Sequence, residues 1–130
     1  MRKYINLLTG IIFALAAFSF SQAQAADIIS QGTFAGRSDH ITTGKVEVIK
    51  NSDGSYKVIL GEDFSLDGAP DPKLAFGHDG INKNTLFSPL KHNSGKQEYL
   101  LPASIDPAQF NEIYVWCEKF DVPLGVASLK

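Results

Sequence analysis

The sequence contains one cysteine, Cys117, so it cannot form an intramolecular disulfide. The scarcity of cysteine and histidine also argues against several metal and haem sites. The C-x-x-C-H motif that attaches c-type haem is absent, and no histidine follows Cys117 as a blue-copper ligand would. One cysteine with three scattered histidines is a poor set of ligands for structural zinc.

Basic residues are also few, with 12 lysines and arginines against 14 aspartates and glutamates. The net charge is −2, and the basic residues form no stripe or cluster. An acidic chain of this kind argues against nucleic acid and anionic membrane surfaces as partners.

The amino-terminal segment has the three parts of a secretory signal. Arg2 and Lys3 precede an uncharged apolar run over residues 7–20, and Ala23-Gln24-Ala25 is an A-x-A cleavage motif. The run is shorter than the roughly 20 residues of a spanning helix. We therefore predict a signal peptide over residues 1–25 and one domain over residues 26–130. The mature protein is predicted to be periplasmic or secreted, without membrane association. A lipid anchor is not expected, because no cysteine lies near the cleavage site.

Strand-like alternation dominates the rest of the chain, and no long stretch has the 3.6-residue period of a helix. Residues 44–50 and 56–60 flank a turn cluster and predict a hairpin, and residues 85–91 and 97–101 predict a second one. Pro89 cannot donate a backbone hydrogen bond, so the first strand of that second hairpin is expected at a sheet edge. Further strands are expected at residues 74–76, 112–120 and 126–129, and a helical turn at 107–110 after Asp106. The fold class is predicted to be all-β, a single antiparallel β-sandwich or barrel.

Cys117 lies in the most aromatic and β-branched run of the predicted domain. Alternation places Ile113, Val115 and Cys117 on one face of this strand, and Tyr114, Trp116 and Glu118 on the other. A lone thiol beside Ile and Val is either a small apolar core residue or a group kept for redox chemistry or an intermolecular bond. Because the sequence turns polar at Glu118, we expect a partly accessible thiol near the end of its strand.

His40 is the histidine that carries a specific hypothesis. It follows Ser38-Asp39 and precedes a predicted strand. It is either a turn residue bonded to its own loop or a partner of Cys117 as thiolate stabiliser, base or ligand. His78 and His92 lie in turn-rich loops and are expected to be solvated.

An ordered set of short motifs runs through nearly the whole predicted domain. They are Gly32-Thr33-Phe34, Ser38-Asp39-His40, Gly44-Lys45-Val46, Asp63-Phe64-Ser65, Gly68-Ala69-Pro70-Asp71-Pro72, Gln97-Glu98-Tyr99-Leu100-Leu101-Pro102, Val115-Trp116-Cys117 and Val122-Pro123-Leu124-Gly125. With these motifs the chain resembles the DM-thirteen domain, a small extracellular β-rich domain found beside DOMON domains and described as an electron-transfer domain. The resemblance implies an all-β fold, a redox-active cysteine at the position of Cys117 and a role outside the cytoplasm.

We therefore expect an exported redox or electron-transfer module that uses the Cys117 thiol, with an extracytoplasmic redox protein as its partner. Trp116 is expected to shield or pack beside the thiol, and His40 to be its neighbour. Two other functions stay open: an extracellular binding or structural module in which Cys117 is core packing, and a metal- or haem-binding carrier. The sequence identifies no cofactor and assigns no reaction.

Overall fold

A computed structural model describes residues 27–130, and the predicted signal peptide lies outside the described residues. This part of the chain forms ten strands and two 3-10 turns. The strands are β1 (Asp27–Gly36), β2 (Thr42–Thr43), β3 (Lys45–Lys50), β4 (Tyr56–Leu60), β5 (Ser65–Leu66), β6 (Pro72–Gly77), β7 (Ser88–Pro89), β8 (Gln97–Leu100), β9 (Glu112–Cys117) and β10 (Val122–Ser128). The 3-10 turns are Lys83–Thr85 and Pro107–Gln109. No helix among residues 27–130 is long and apolar enough to cross a membrane.

Eight of these strands form one antiparallel sheet that curls into a nearly closed barrel, in the order β7-β6-β9-β10-β1-β3-β4-β8. The segment after edge strand β7 reaches the other edge strand, β8, through side-chain hydrogen bonds. The backbone N–H of Lys91 donates to the Tyr99 hydroxyl at 2.8 Å, and that of His92 to Oε1 of Gln97 at 3.2 Å. The all-β barrel prediction is confirmed.

The barrel interior holds the main hydrophobic core. Inward positions of β3, β4, β6, β8 and β9 alternate with outward ones, as the two-residue period of a strand requires. Its fully buried members include Val46, Val48, Val58, Leu60, Phe64, Leu74, Phe76, Ile113, Val115 and Leu124. A separate short sheet pairs β2 with β5. The Thr42 hydroxyl ties it to β10 by donating to the carbonyl oxygen of Leu124 at 2.8 Å.

Several local predictions are confirmed. The first hairpin forms from β3 and β4, whose register runs from Val46 opposite Leu60 to Lys50 opposite Tyr56. The strand at residues 74–76 lies within β6, and Pro89 lies on an edge strand. The turn Pro107–Gln109 begins at Asp106, whose carboxylate accepts the N–H of Ala108 at 3.1 Å.

The second predicted hairpin is wrong. β7 pairs with β6 and β8 pairs with β4, so the two strands are not partners. The expected turn instead bonds to the segment at β5. The carbonyl of Asn93 accepts the N–H of Leu66 at 2.7 Å, and the N–H of Gly95 donates to the carbonyl of Phe64 at 3.0 Å. The predicted strand over 112–120 also ends early, at Cys117. Residues 118–121 turn the chain into β10, with Asp121 at a φ of 55°.

Candidate functional site

Cys117 is the last residue of β9 and lies between two neighbouring strands. It stands opposite Val122 of β10 on one side and Pro72 of β6 on the other. Its side chain is part of the main core together with those of Ile113 and Val115, which confirms the predicted face. Only 1% of its surface is exposed.

The expectation of a partly accessible thiol is therefore wrong. The end of a strand at a turn is often exposed, but β9 is a central strand with a partner on each side. Its inner face points into the barrel up to the last residue, and Cys117 shares the main buried cluster with Leu66 and Leu124. The polar residues that follow Cys117 form the outer turn, while the thiol itself stays inside.

The turn after Cys117 is held to β6 by polar contacts. The backbone N–H of Glu118 donates to the carbonyl of Asp71 at 3.2 Å. Lys73 Nζ donates to Glu118 Oε1 at 2.8 Å and lies 3.6 Å from Asp71 Oδ1. The hydrogen bond with Glu118 is the main cause that raises the pKa of Lys73 above its ordinary value. Cys117 thus directly precedes an exposed turn that is bonded to the start of β6.

Trp116 lies on the opposite face of β9, in a second, smaller cluster. This outer cluster contains Tyr114, Trp116 and Val126, with Ile81 and Leu86 packed against it. Trp116 is 6% exposed, and Lys83 Nζ lies 5.9 Å from its ring centre. Trp116 is thus next to Cys117 in sequence, but its side chain packs on the other side of the sheet.

Lys83 connects the outer cluster to the turn that follows Cys117. Its ammonium donates to Asp121 Oδ2 at 2.7 Å. That bond is the main cause that lowers the pKa of Asp121, and the nearby indole of Trp116 contributes less. The loop before β7 and the turn before β10 are therefore joined beside the Trp116 ring.

Tyr114 and Glu112 form a hydrogen-bonded pair on this outer face. The Tyr114 hydroxyl donates to Glu112 Oε1 at 3.0 Å, and the same oxygen accepts the backbone N–H of Gly80 at 2.7 Å. Burial, and secondarily the bond to Glu112, raises the pKa of Tyr114 to about 12. The rings of Tyr114 and Trp116 meet edge to face with centres 6.2 Å apart.

His40 lies in the loop between β1 and β2, where Ser38 and Asp39 both have positive φ values. Its Nδ1 is 2.8 Å from Asp67 Oδ1, and Asp67 Oδ2 accepts the N–H of Ile41 at 3.0 Å. These bonds, the one from Ile41 first, lower the pKa of Asp67. Within residues 27–130 no hydrogen bond joins His40 to Cys117, so the geometry supports the loop-stabilising interpretation of His40.

Strand register nevertheless places His40 and Cys117 at the same end of the barrel. The loop that carries His40 bonds to β10 through Arg37, whose N–H donates to the carbonyl of Leu124 at 3.0 Å. Cys117 faces Val122 of the same strand. Among residues 27–130, no three His, Cys, Asp or Glu side chains come together as a metal site would require.

Two features of the site escaped prediction from the sequence. The partner of His40 is Asp67, 27 residues further along, and no local pattern connects them. The Glu112–Tyr114 pair could have been found, because residues two apart on a strand share a face. The missing information was that a loop carrying Gly80 would cover that face.

A protein-family model described as "Electron transfer DM13" matches residues 33–129 of the chain. No curated protein and no solved structure matches the chain significantly.

Proposed function

Because the chain belongs to the electron-transfer DM13 family, we propose that it is an exported electron-transfer module whose reactive group is the Cys117 thiol. The supporting observation is the position of this sole cysteine. It is buried, yet it is the last residue of β9 and is followed by an exposed turn. Strand ends open at a lower free energy than the whole domain unfolds. We propose that the thiol reacts when the end of β9 and the turn at 118–121 separate from β6.

The proposed reaction is thiol–disulfide exchange with an extracytoplasmic redox protein. The Cys117 thiolate attacks one sulfur of a disulfide in the partner, and a new S–S bond forms between the two proteins. The partner's S–S bond breaks, and its second sulfur leaves as a thiolate with the electron pair. A lone cysteine suits this role, because no second thiol of this chain resolves the mixed disulfide.

A small disulfide tests this reaction directly. We expect folded protein incubated with oxidised glutathione to gain one glutathione adduct on Cys117, measured by mass spectrometry. A Cys117→Ser variant, folded by circular dichroism, should gain none. If adduct forms only after denaturant unfolds the wild type, Cys117 is not an exchange centre.

The second candidate is an extracellular binding or structural module in which Cys117 is core packing. The 1% exposure of Cys117, within the main hydrophobic cluster, favours it. Free cysteine is commonly such a small buried apolar residue. Absence of reaction in the glutathione experiment supports this candidate.

Export is a separate proposal with its own test. It is supported by the Arg2-Lys3 start, the apolar run and the Ala23-Gln24-Ala25 motif. Amino-terminal sequencing of protein from the periplasm or medium should begin at Ala26 or Asp27. Full-length protein that begins at Met1 and stays in the membrane fraction would contradict this proposal.

A further inference from the structure

We propose that Tyr114 is a second redox group of this domain, which gives one electron to an external one-electron oxidant while its phenolic proton passes to Glu112. This proposal rests on the electron-transfer role above. The oxidant that takes the electron from Tyr114 is an oxidised metal complex or an oxidised redox protein. This reaction uses the outer face of β9, whereas Cys117 uses the inner face.

The pair is positioned for proton transfer. The Tyr114 hydroxyl lies 3.0 Å from Glu112 Oε1 and donates to it. The N–H of Gly80 holds that oxygen at 2.7 Å, so the acceptor is fixed by the backbone of a neighbouring loop. Tyr114 is 8% exposed, which restricts the access of water to the phenol. Proton transfer to a positioned base needs this kind of hydrogen-bond contact.

The step balances in charge and atoms. A phenol that loses an electron becomes a strong acid, so its proton has to leave with the electron. The O–H bond of Tyr114 breaks, an O–H bond forms on Glu112, and the electron reduces the oxidant. Tyr114 is left as a neutral phenoxyl radical, and the return of one electron and the proton restores the starting pair.

Trp116 extends the path toward the end of β9. Its ring centre is 6.2 Å from that of Tyr114, and the next residue along the strand is Cys117. The Lys83 ammonium lies over the indole, 5.9 Å from its ring centre, and donates to the Asp121 carboxylate. Two oxidisable rings therefore lie side by side on the outer face of β9, next to the Glu112 carboxylate. An external oxidant can take an electron through these outer rings without the barrel opening, whereas a disulfide partner has to reach the sulfur itself.

The same chain supplies an internal control. Tyr99 is also buried, with 2% exposure, and its hydroxyl donates to Oε1 of Gln97. A neutral amide oxygen accepts a hydrogen bond but is a far weaker base than a carboxylate. Tyr99 also accepts the backbone N–H of Lys91, and the Lys91 ammonium lies 4.8 Å from its ring centre, which disfavours positive charge on that ring. We therefore expect Tyr114, and not Tyr99, to give up its electron readily.

The test is flash oxidation by photogenerated ruthenium(III) tris-bipyridine, with the tyrosyl radical followed by transient absorption and by freeze-quench electron paramagnetic resonance. The protein carries Cys117→Ala, so that the thiol cannot supply the electron. We expect a tyrosyl radical that persists in Tyr99→Phe and disappears in Tyr114→Phe. Glu112→Gln keeps an acceptor oxygen, and we expect it to slow radical formation by at least about tenfold, because a positioned base commonly contributes about 100-fold or more.

Thermal melts establish that each variant is folded before oxidation. The same radical in Tyr114→Phe, or an unchanged rate in Glu112→Gln, would overturn the proposal. Because the thiol is absent throughout, this outcome is independent of whether Cys117 reacts with disulfides. Conversely, an inert Cys117 would remove the exchange reaction and leave the Tyr114 result standing.

Discussion

At the residue scale, β9 carries different chemistry on its two faces. Cys117 points into the apolar interior with Ile113 and Val115, while Tyr114 and Trp116 point outward under a covering loop. Strand alternation alone predicts this division, because successive side chains point to opposite faces. The burial of the thiol is a property of the closed sheet, which a local pattern does not contain.

Replacing the sulfur by a hydroxyl tests the burial of Cys117. We expect Cys117→Ser to lower the free energy of unfolding by about 1–3 kcal/mol, because the hydroxyl is placed among apolar side chains without a partner. Urea unfolding of wild type and variant measures the difference. Cys117→Ala separates the loss of packing from the cost of burying a polar group. An unchanged unfolding midpoint in Cys117→Ser would show that the site is polar or open to solvent.

Trp116 and Phe120 are two aromatic residues near the end of β9 that differ in burial, so their variants can be compared. Trp116 is 6% exposed and Phe120 is 61% exposed. We expect Trp116→Ala to cost about 3–5 kcal/mol, because a large buried side chain leaves a cavity. Phe120→Ala should stay within about 0.5 kcal/mol of wild type, as surface substitutions usually do. Thermal or urea unfolding of both variants checks this, and equal effects would mean that Trp116 is a surface residue.

At the scale of elements, the loops determine where the strands pair. The hairpin of β3 and β4 follows from local signals, since two alternating runs flank a short turn containing Gly54. The pairing of β7 with β6 depends on residues far apart in sequence, and so does the binding of Asn93 to β5. The sequence therefore predicts the first hairpin correctly and joins β7 and β8 wrongly.

Asp67 links the loop of His40 to the β2–β5 sheet, and it gives this region a pH dependence. Its pKa is lowered in the folded state, from an ordinary value of 3.8. A lowered pKa means that the unfolded chain binds the proton more readily. The stability that Asp67 contributes is fully present at pH values above its pKa in the unfolded chain. It is lost as the pH falls through its lower pKa in the folded protein.

We expect Asp67→Asn to reduce the loss of stability on the acid side of pH 4. Urea unfolding at a series of pH values measures this for wild type and variant. Asp39→Asn removes a charge from the same loop without touching the bonds of Asp67, and it serves as the control. Identical acid profiles for wild type and Asp67→Asn would show that the bonds to His40 and Ile41 do not persist in solution.

At the scale of the whole molecule, the barrel is closed by two different means. Backbone pairs join seven strand interfaces. The remaining gap, between edge strands β7 and β8, is spanned by the side chains of Gln97 and Tyr99, which accept backbone N–H groups of the segment after β7. Alternation and turn signals predict an antiparallel barrel or sandwich, but they do not show which strands meet at the seam. The same holds for the candidate site. The sequence predicts which face of β9 Cys117 occupies, while the burial of its side chain depends on closure of the sheet.

Closure also determines how the thiol is reached. Cys117 belongs to the core, but it takes part in the terminal strand pairs with Pro72 and Val122 and directly precedes the exposed turn at 118–121. Opening these pairs exposes much less surface than unfolding the barrel does. The dependence of a rate on urea reports the surface exposed in the reactive state.

The most direct test of the proposed role of Cys117 is the rate of its alkylation by iodoacetamide in native protein across a range of urea concentrations below the unfolding transition. Local opening predicts a measurable rate without urea and a slope of log rate against urea well below that of global unfolding, which is measured separately by circular dichroism. The Cys117→Ser variant controls for reaction at other groups. Alkylation that has the slope and free energy of global unfolding would contradict local access to the thiol and assign Cys117 to core packing.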